Sequence, residues 1–152
     1  MRKQAFVFAL GISVVACGGA QNAPPFKPVA DTKLLMQSLV DPNADLVWDA
    51  VQTIVTMEGT EEIRPHSAAE WTALRNAAVA ISESGNLLMM APRAKDGGEW
   101  MKAAEAMVET GQAAIRAIEK RNADELFTVG GDIYDSCTNC HSKYMDAIVN
   151  AH

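Results

Sequence analysis

Two cysteines and a histidine stand together near the end of the chain, as Cys137-Thr138-Asn139-Cys140-His141. Residues three and four apart share one face of a helix, so both thiols and the imidazole project to the same side. Such a set can close a disulfide, cycle as a redox pair, hold zinc, or carry a haem through two thioether bonds with the imidazole on its iron. A disulfide is poorly served by two cysteines three apart in one helix, because the geometry of a bridge is narrow. A thioredoxin-like pair belongs in a βαβ setting, and no such alternation occurs. A zinc-stabilised interaction module stays open as a rival, although zinc lacks a second Cys/His cluster: His66 and His152 are the only other histidines. In an exported chain, C-x-x-C-H is the attachment signature of one covalently bound haem c.

The N-terminus supplies the export context. Arg2 and Lys3 form a basic end, Ala5 to Val15 is an apolar stretch broken only by Gly11 and Ser13, and Ala16-Cys17-Gly18-Gly19-Ala20 is small. The apolar run of about 11 residues is short of the roughly 20 that a membrane span needs, and suits a signal-peptide core. Residues 1–20 therefore read as an export signal leading to the periplasm. Val14-Val15-Ala16-Cys17 resembles a bacterial lipobox, with Val14 where Leu is usual; it would make Cys17 an acylated first residue and a membrane anchor. Cleavage after Ala20 is the competing reading. Residues 21–30, with three prolines, read as a tether, and 31–152 as one domain. On either reading the third cysteine belongs to processing.

With 152 residues, 49% hydrophobic and 21% charged, the chain can build one real core and not two. A net charge of -6 excludes nucleic acid as a partner, since its binders need basic patches. Cleavage before Cys17 would remove Arg2 and Lys3 and leave 11 basic against 19 acidic residues, a net -8. A basic partner surface is favoured at low salt.

The attachment motif has to be carried by helices. Punctuation divides the chain after Asp31 into four of them. The first runs from Asp31 to about Met57, before Gly59, with a kink or restart expected at Asp41-Pro42. The second opens on a capping box, Ser67-Ala68-Ala69-Glu70, and closes at Gly85-Asn86. The third opens at Asp96-Gly97-Gly98-Glu99 and reaches Arg121; the fourth opens at Asn122-Ala123-Asp124-Glu125 and runs to the end. No strand alternation and no Asn-Gly or Asp-Gly hairpin is visible. Trp71, Leu74, Ala78 and Ile81 make one apolar stripe, and Trp100, Ala104, Met107, Ile115 and Ile118 another. The expected fold is all-α, an antiparallel four-helix bundle with covalently bound haem. Leu126, Gly130, Ile133 or Tyr134, and Cys137 carry one face of the last helix. Gly130-Gly131 there signals close approach of something bulky.

The motif's place about a dozen residues from the C-terminus, the preceding Gly131-Asp132-Ile133-Tyr134-Asp135-Ser136, and Tyr144 three residues after the histidine resemble the class II c-type cytochromes, which include cytochrome c′. The likeness covers roughly 31–148 and is specific over 126–145. It implies a four-helix bundle, haem on Cys137 and Cys140, His141 on the iron, and in many members an antiparallel homodimer. Members commonly carry Arg directly after the Tyr, where this chain has Met145, which counts against the gas-binding behaviour of cytochrome c′. The resemblance also implies that the first helix supplies the sixth iron position. There Lys33-Leu34-Leu35-Met36 offers Met36 as ligand, with Val40 one turn on as the apolar alternative that would leave iron open to nitric oxide or carbon monoxide. Met89 and Met90, in the loop after the second helix, and Tyr144 are further pocket candidates.

Other residues have blander readings. Trp48, Trp71 and Trp100 are expected in the core, with haem contact as the alternative. Arg93 and Lys95 are expected in a solvated loop, with propionate neutralisation as the alternative. Asp41, Asp45 and Asp49 read as a solvated helix stripe. No catalytic constellation is visible, so the expected role is single-electron transfer with redox proteins as partners, and not an enzyme.

Overall fold

The computed structural model describes residues 26–149, with side chains through Met145. The export signal, Cys17 and residues 21–25 of the tether lie outside the described residues. The domain is mostly helical, with four helices packed on one another and one small hairpin.

Three consecutive pieces form the first helical rod, here α1: Thr32–Leu35, a π-helical turn over Met36–Val40, and Asp41–Asp49. The Asp31 carboxylate caps it by accepting from the Leu34 amide. There is no restart at Asp41-Pro42. Pro42 lacks an N–H, and its ring would press on the carbonyl of Ser38 four residues back. The wider turn, in which the Asp41 amide donates to the Met36 carbonyl, carries the helix past the proline.

The expected continuation of this helix to Met57 is overturned. The rod ends at Asp49, and Gln52–Val55 (β1) pairs antiparallel with Thr60–Ile63 (β2). The cause is local: Thr53, Ile54, Val55 and Thr56 are β-branched in succession, and lose side-chain freedom in a helix but not in a strand. At the turn the Thr56 and Gly59 backbones bond to each other, and Gly59 takes the positive φ that glycine tolerates.

Helix α2 spans Ala68–Met89 and opens on the expected capping box: Ser67 Oγ accepts from the Glu70 amide, while the Glu70 carboxylate accepts from the Ser67 and His66 amides. It does not close at Gly85-Asn86. Gly85 is inside the helix because α3 (Glu99–Glu119) crosses there, and a Cβ on Gly85 would sit 2.6 Å from the Ala104 carbonyl oxygen. The pairs Trp100 Nε1–Leu88 carbonyl, Gly85–Ala104 and Ser82–Gly111 descend one helix while climbing the other, so the two are antiparallel. Gly98 is the N-cap of α3, and Asp96, two residues before it, supplies the side chain, its Oδ1 accepting from the Gly98 and Trp100 amides. Helix α4 spans Ala123–Val149, and the Asn122 side chain accepts from the Glu125 amide at its start. Trp48 on α1 against Gly130 on α4 closes the bundle.

Ile81, Leu126, Ile133, Val47 and Trp100 are fully buried at the centre. The ambiguity on α4 resolves: Ile133 faces the core and Tyr134 faces out. The α2–α3 seam is the tightest contact, since a Cβ on Gly111 would lie 2.7 Å from Ser82 Cβ and 2.8 Å from its Cα. Gly111→Ala is therefore expected to lower stability by about 1–3 kcal/mol through overpacking, outweighing the ~1 kcal/mol that alanine gains in helix propensity. Denaturant unfolding reads this directly, and a stabilised variant would contradict the seam.

Candidate functional site

Cys137, Cys140 and His141 lie in the second half of α4, on the face turned toward α1 and α3. They line a cavity of about 470 Å³, within the roughly 300–1,000 Å³ typical of cofactor sites. Met36, Val40, Asp41, Ala44 and Trp48 come to it from α1, and Leu88 from α2. Trp100, Ala103, Ala104 and Met107 come from α3, and Met145 adds a thioether from the end of α4. The lining is mainly apolar; among the described residues it has no Lys or Arg, and Asp41 is its one carboxylate.

The structure thus brings five of the site candidates from the sequence to one cavity, the C-x-x-C-H triplet with Met36 and Val40. Val40 is buried and Met36 half-buried, both in the π-helical turn. A π turn rotates the side chains that follow it and is frequent at functional sites. Here it is Pro42, six residues past Met36, that forces the turn. Met89 and Met90 do not line the cavity. Met89 ends α2 and packs on the core from another side, because the helix runs on past Gly85. Tyr144 is not part of the lining either: its hydroxyl donates to Asp96 Oδ2, and its ring meets Trp100 edge to face at 5.1 Å. It braces the wall at Trp100 from behind.

Two further expectations change. Arg93 is not in a solvated loop: it is 6% exposed, its Nε donating to the Ala30 carbonyl and a terminal nitrogen to the Leu87 carbonyl. It ties the segment before α1 to the end of α2, and neither it nor exposed Lys95 lines the cavity. Of the tryptophans, Trp71 is core alone, while Trp48 and Trp100 are both core-packed and cavity-lining. Met107, Ala103 and Met145 are lining residues that the sequence reading did not assign to a pocket. Met107 stood in the α3 stripe, where a pocket-facing side chain and a core side chain have the same spacing.

Both thiols are free, and burial pushes both upward from their ordinary pKa; the neighbouring Cys137 adds to the effect at Cys140. Thiols held neutral are the opposite of the acidic, exposed cysteine of a redox pair. Among the described residues no three His, Cys, Asp or Glu side chains converge as a metal-ion cluster. A flat, apolar ring fits the residues present: two thiols at one edge, an imidazole beside them, and an apolar wall from α1 and α3.

Behind the Trp100 wall, Tyr144 and Asp96 shift each other in opposite directions. The hydrogen bond to Asp96, with burial second, pushes the Tyr144 phenol up to about 12, and the same bond, then the Trp100 and Gly98 amides, holds Asp96 below its usual range. The tyrosine's contribution is complete below pH 10 and is lost as pH rises through about 12; that of Asp96 is present above its unfolded value of 3.8 and is lost as pH falls through its depressed one. Asp96→Asn should bring the late phenolate step in an ultraviolet titration back toward pH 10, and Tyr144→Phe should abolish it. A late step surviving in Tyr144→Phe would contradict the pairing.

Among the described residues no helix is long and apolar enough to cross a membrane. Comparison of the chain with family models, with curated proteins and with solved structures finds no match.

Proposed function

We propose that the chain is an exported mono-haem c-type cytochrome that carries single electrons in the periplasm, exchanging them with redox proteins. In this reading Cys17 bears a lipid that anchors the domain to a membrane through the tether of residues 21–30. One observation carries the proposal: the C-x-x-C-H side chains and Met36, 101 residues before Cys137 in sequence, meet on one apolar cavity.

Haem c, when bound, supplies an iron that changes charge by one electron, a reaction that asks for no acid, base or nucleophile from the protein. The chain's own residues do the rest. Cys137 and Cys140 would hold the ring through two thioethers, which have no proton left to titrate. His141 would hold the iron through its imidazole, and Met36 would offer a thioether, a ligand that favours reduced iron and a low-spin state. Val40, Ala44, Trp100 and Met107 give the cavity an apolar lining that would keep water from a bound ring and limit the solvent rearrangement that electron transfer must drive. Among the described residues no cation lines the cavity, so the ring's carboxylates would need water as their partner.

The mature protein, made with its own export signal, should stain for covalent haem after denaturing electrophoresis. An unstained band that carries zinc would overturn the cytochrome in favour of a metal-stabilised interaction module.

A further inference from the structure

The wall between the cavity and solvent is thin at one place. Trp48 and Tyr134 line the cavity on one side, and on the other they line a second hollow of about 510 Å³ on the outer surface. Val51 and Thr53 of the hairpin side, with Phe127 and Gly131 of α4, complete this outer groove. The two shared rings meet edge to face at 6.1 Å, and Trp48 Nε1–H donates to the Gly130 carbonyl at 2.9 Å, which fixes the indole across the gap. A Cβ on Gly130 would rest on the indole at an ordinary contact of 3.4 Å, and one on Gly131 would meet nothing, so of the expected close approach at this pair only the contact of Gly130 with Trp48 is found. Phe127 and Tyr134, two turns apart on one face of α4, are 54% and 59% exposed. Exposed aromatic rings beside an open groove are the usual anchors of a protein interface.

Charge identifies the occupant. Between Leu34 and Ile63 there are six acidic residues and no Lys or Arg; between Asn122 and Ser142 there are four, again with none. Arg64 and Lys120, at the borders, pair with Glu62, Asp124 and Glu125. Asp41, Asp45, Asp49, Glu58, Glu61, Asp132 and Asp135 are exposed and form no salt bridge among the described residues. Arg75, Lys102 and Arg116 lie instead on α2 and α3. Lys33, at the start of α1, and Lys143, which pairs with Glu99 late in α4, lie outside this stretch; between them the segments of α1, the hairpin and α4 that flank the groove carry unpaired charge of one sign around an aromatic centre, a field that draws in and orients a partner of opposite charge.

We propose that this outer groove docks a basic redox protein, with the Trp48–Tyr134 pair as the bridge to the cavity. The proposal rests on the electron-carrier reading above. One electron moves between a haem iron in the cavity and a one-electron centre in the partner. One is oxidised as the other is reduced, and no bond is made or broken.

The test is calorimetric titration of the mature holoprotein with a strongly basic mono-haem c-type cytochrome at low and high salt. Binding should weaken with salt. Asp132→Lys with Asp135→Lys should weaken it roughly tenfold, as should Phe127→Ser. Glu105→Lys with Glu109→Lys, the same change in net charge on the exposed face of α3, should cost less than about twofold. Equal losses from the two charge reversals, or no binding by the wild-type protein, would overturn the groove as a docking site. A preparation without covalent haem would overturn the electron-carrier reading instead, whereas a haem-bearing protein that fails the charge-reversal comparison would overturn the groove alone.

Discussion

A chain carrying Cys137→Ser and Cys140→Ser is expected to leave no haem on a denaturing gel and to lose most of its cooperative fold. The first effect is chemical, because serine cannot form the thioethers. The second is a matter of packing. The cavity of about 470 Å³ interrupts the core between α1, α3 and α4, where close-packed side chains would otherwise meet. Without the ring its apolar walls would face water or a void, a loss of about a few kcal/mol, a large part of the whole stability of a domain, about 5–15 kcal/mol. A bundle left without its ring must collapse or flood, and each route gives up native packing at Val40, Trp100 and Met107. Thermal unfolding followed by circular dichroism should show the midpoint falling by on the order of 20 °C, or no cooperative transition at all. A double variant that melts as the wild-type holoprotein does would show that the cavity is not built for a ring.

Met36→Ala should leave haem attachment intact and change the iron. Loss of the thioether removes the sixth ligand, so a low-spin spectrum becomes high-spin and the midpoint potential falls on the order of 100 mV, within the roughly 0.8 V that axial ligands command. The emptied distal side, walled by Val40 and Ala44, should then bind carbon monoxide when reduced, which the wild-type protein should do weakly. Met36→Ala also truncates a half-buried side chain, so a small loss of stability accompanies the change. If the variant and the wild-type protein have identical spectra and both bind carbon monoxide, the iron is five-coordinate and the protein is a gas binder of the cytochrome c′ kind. Met145, the other thioether at the cavity apart from Met107, comes from the same helix as His141. Met145→Ala is thus the fitting control, with no spectral change expected.

The parts of the molecule that were legible in the sequence are those fixed by neighbours a turn away. Ser67 with Glu70, Asp96 with the amides of Gly98 and Trp100, and Asn122 with Glu125 are all local bargains between a side chain and the next helical turn, and each helix starts where they said it would. The C-x-x-C-H spacing is equally local. What was missed depended on distant partners or on two local rules in conflict. Gly85 looked like a helix stop, yet α3 presses its backbone there, and packing prevailed over propensity. Arg93 looked solvated, because nothing near it in sequence announces the carbonyl of Ala30, 63 residues earlier, as its partner. The hairpin was legible in principle, from four β-branched residues and a glycine, but was overlooked for lack of an Asn-Gly or Asp-Gly turn. Met36 was picked out by resemblance and Trp48 as a core side chain; only the packing of α1 on α4 shows that both reach the cavity of Cys137.

Because so much hangs on one ring and one thioether, the absorption spectrum of the mature holoprotein, oxidised and reduced, tests the proposal most directly. A low-spin c-type spectrum is expected, with sharp bands on reduction and, in the oxidised protein, the weak long-wavelength band of thioether coordination that disappears in Met36→Ala. A protein with no haem absorption would contradict the cytochrome itself, and a high-spin spectrum would contradict the ligand set of His141 and Met36.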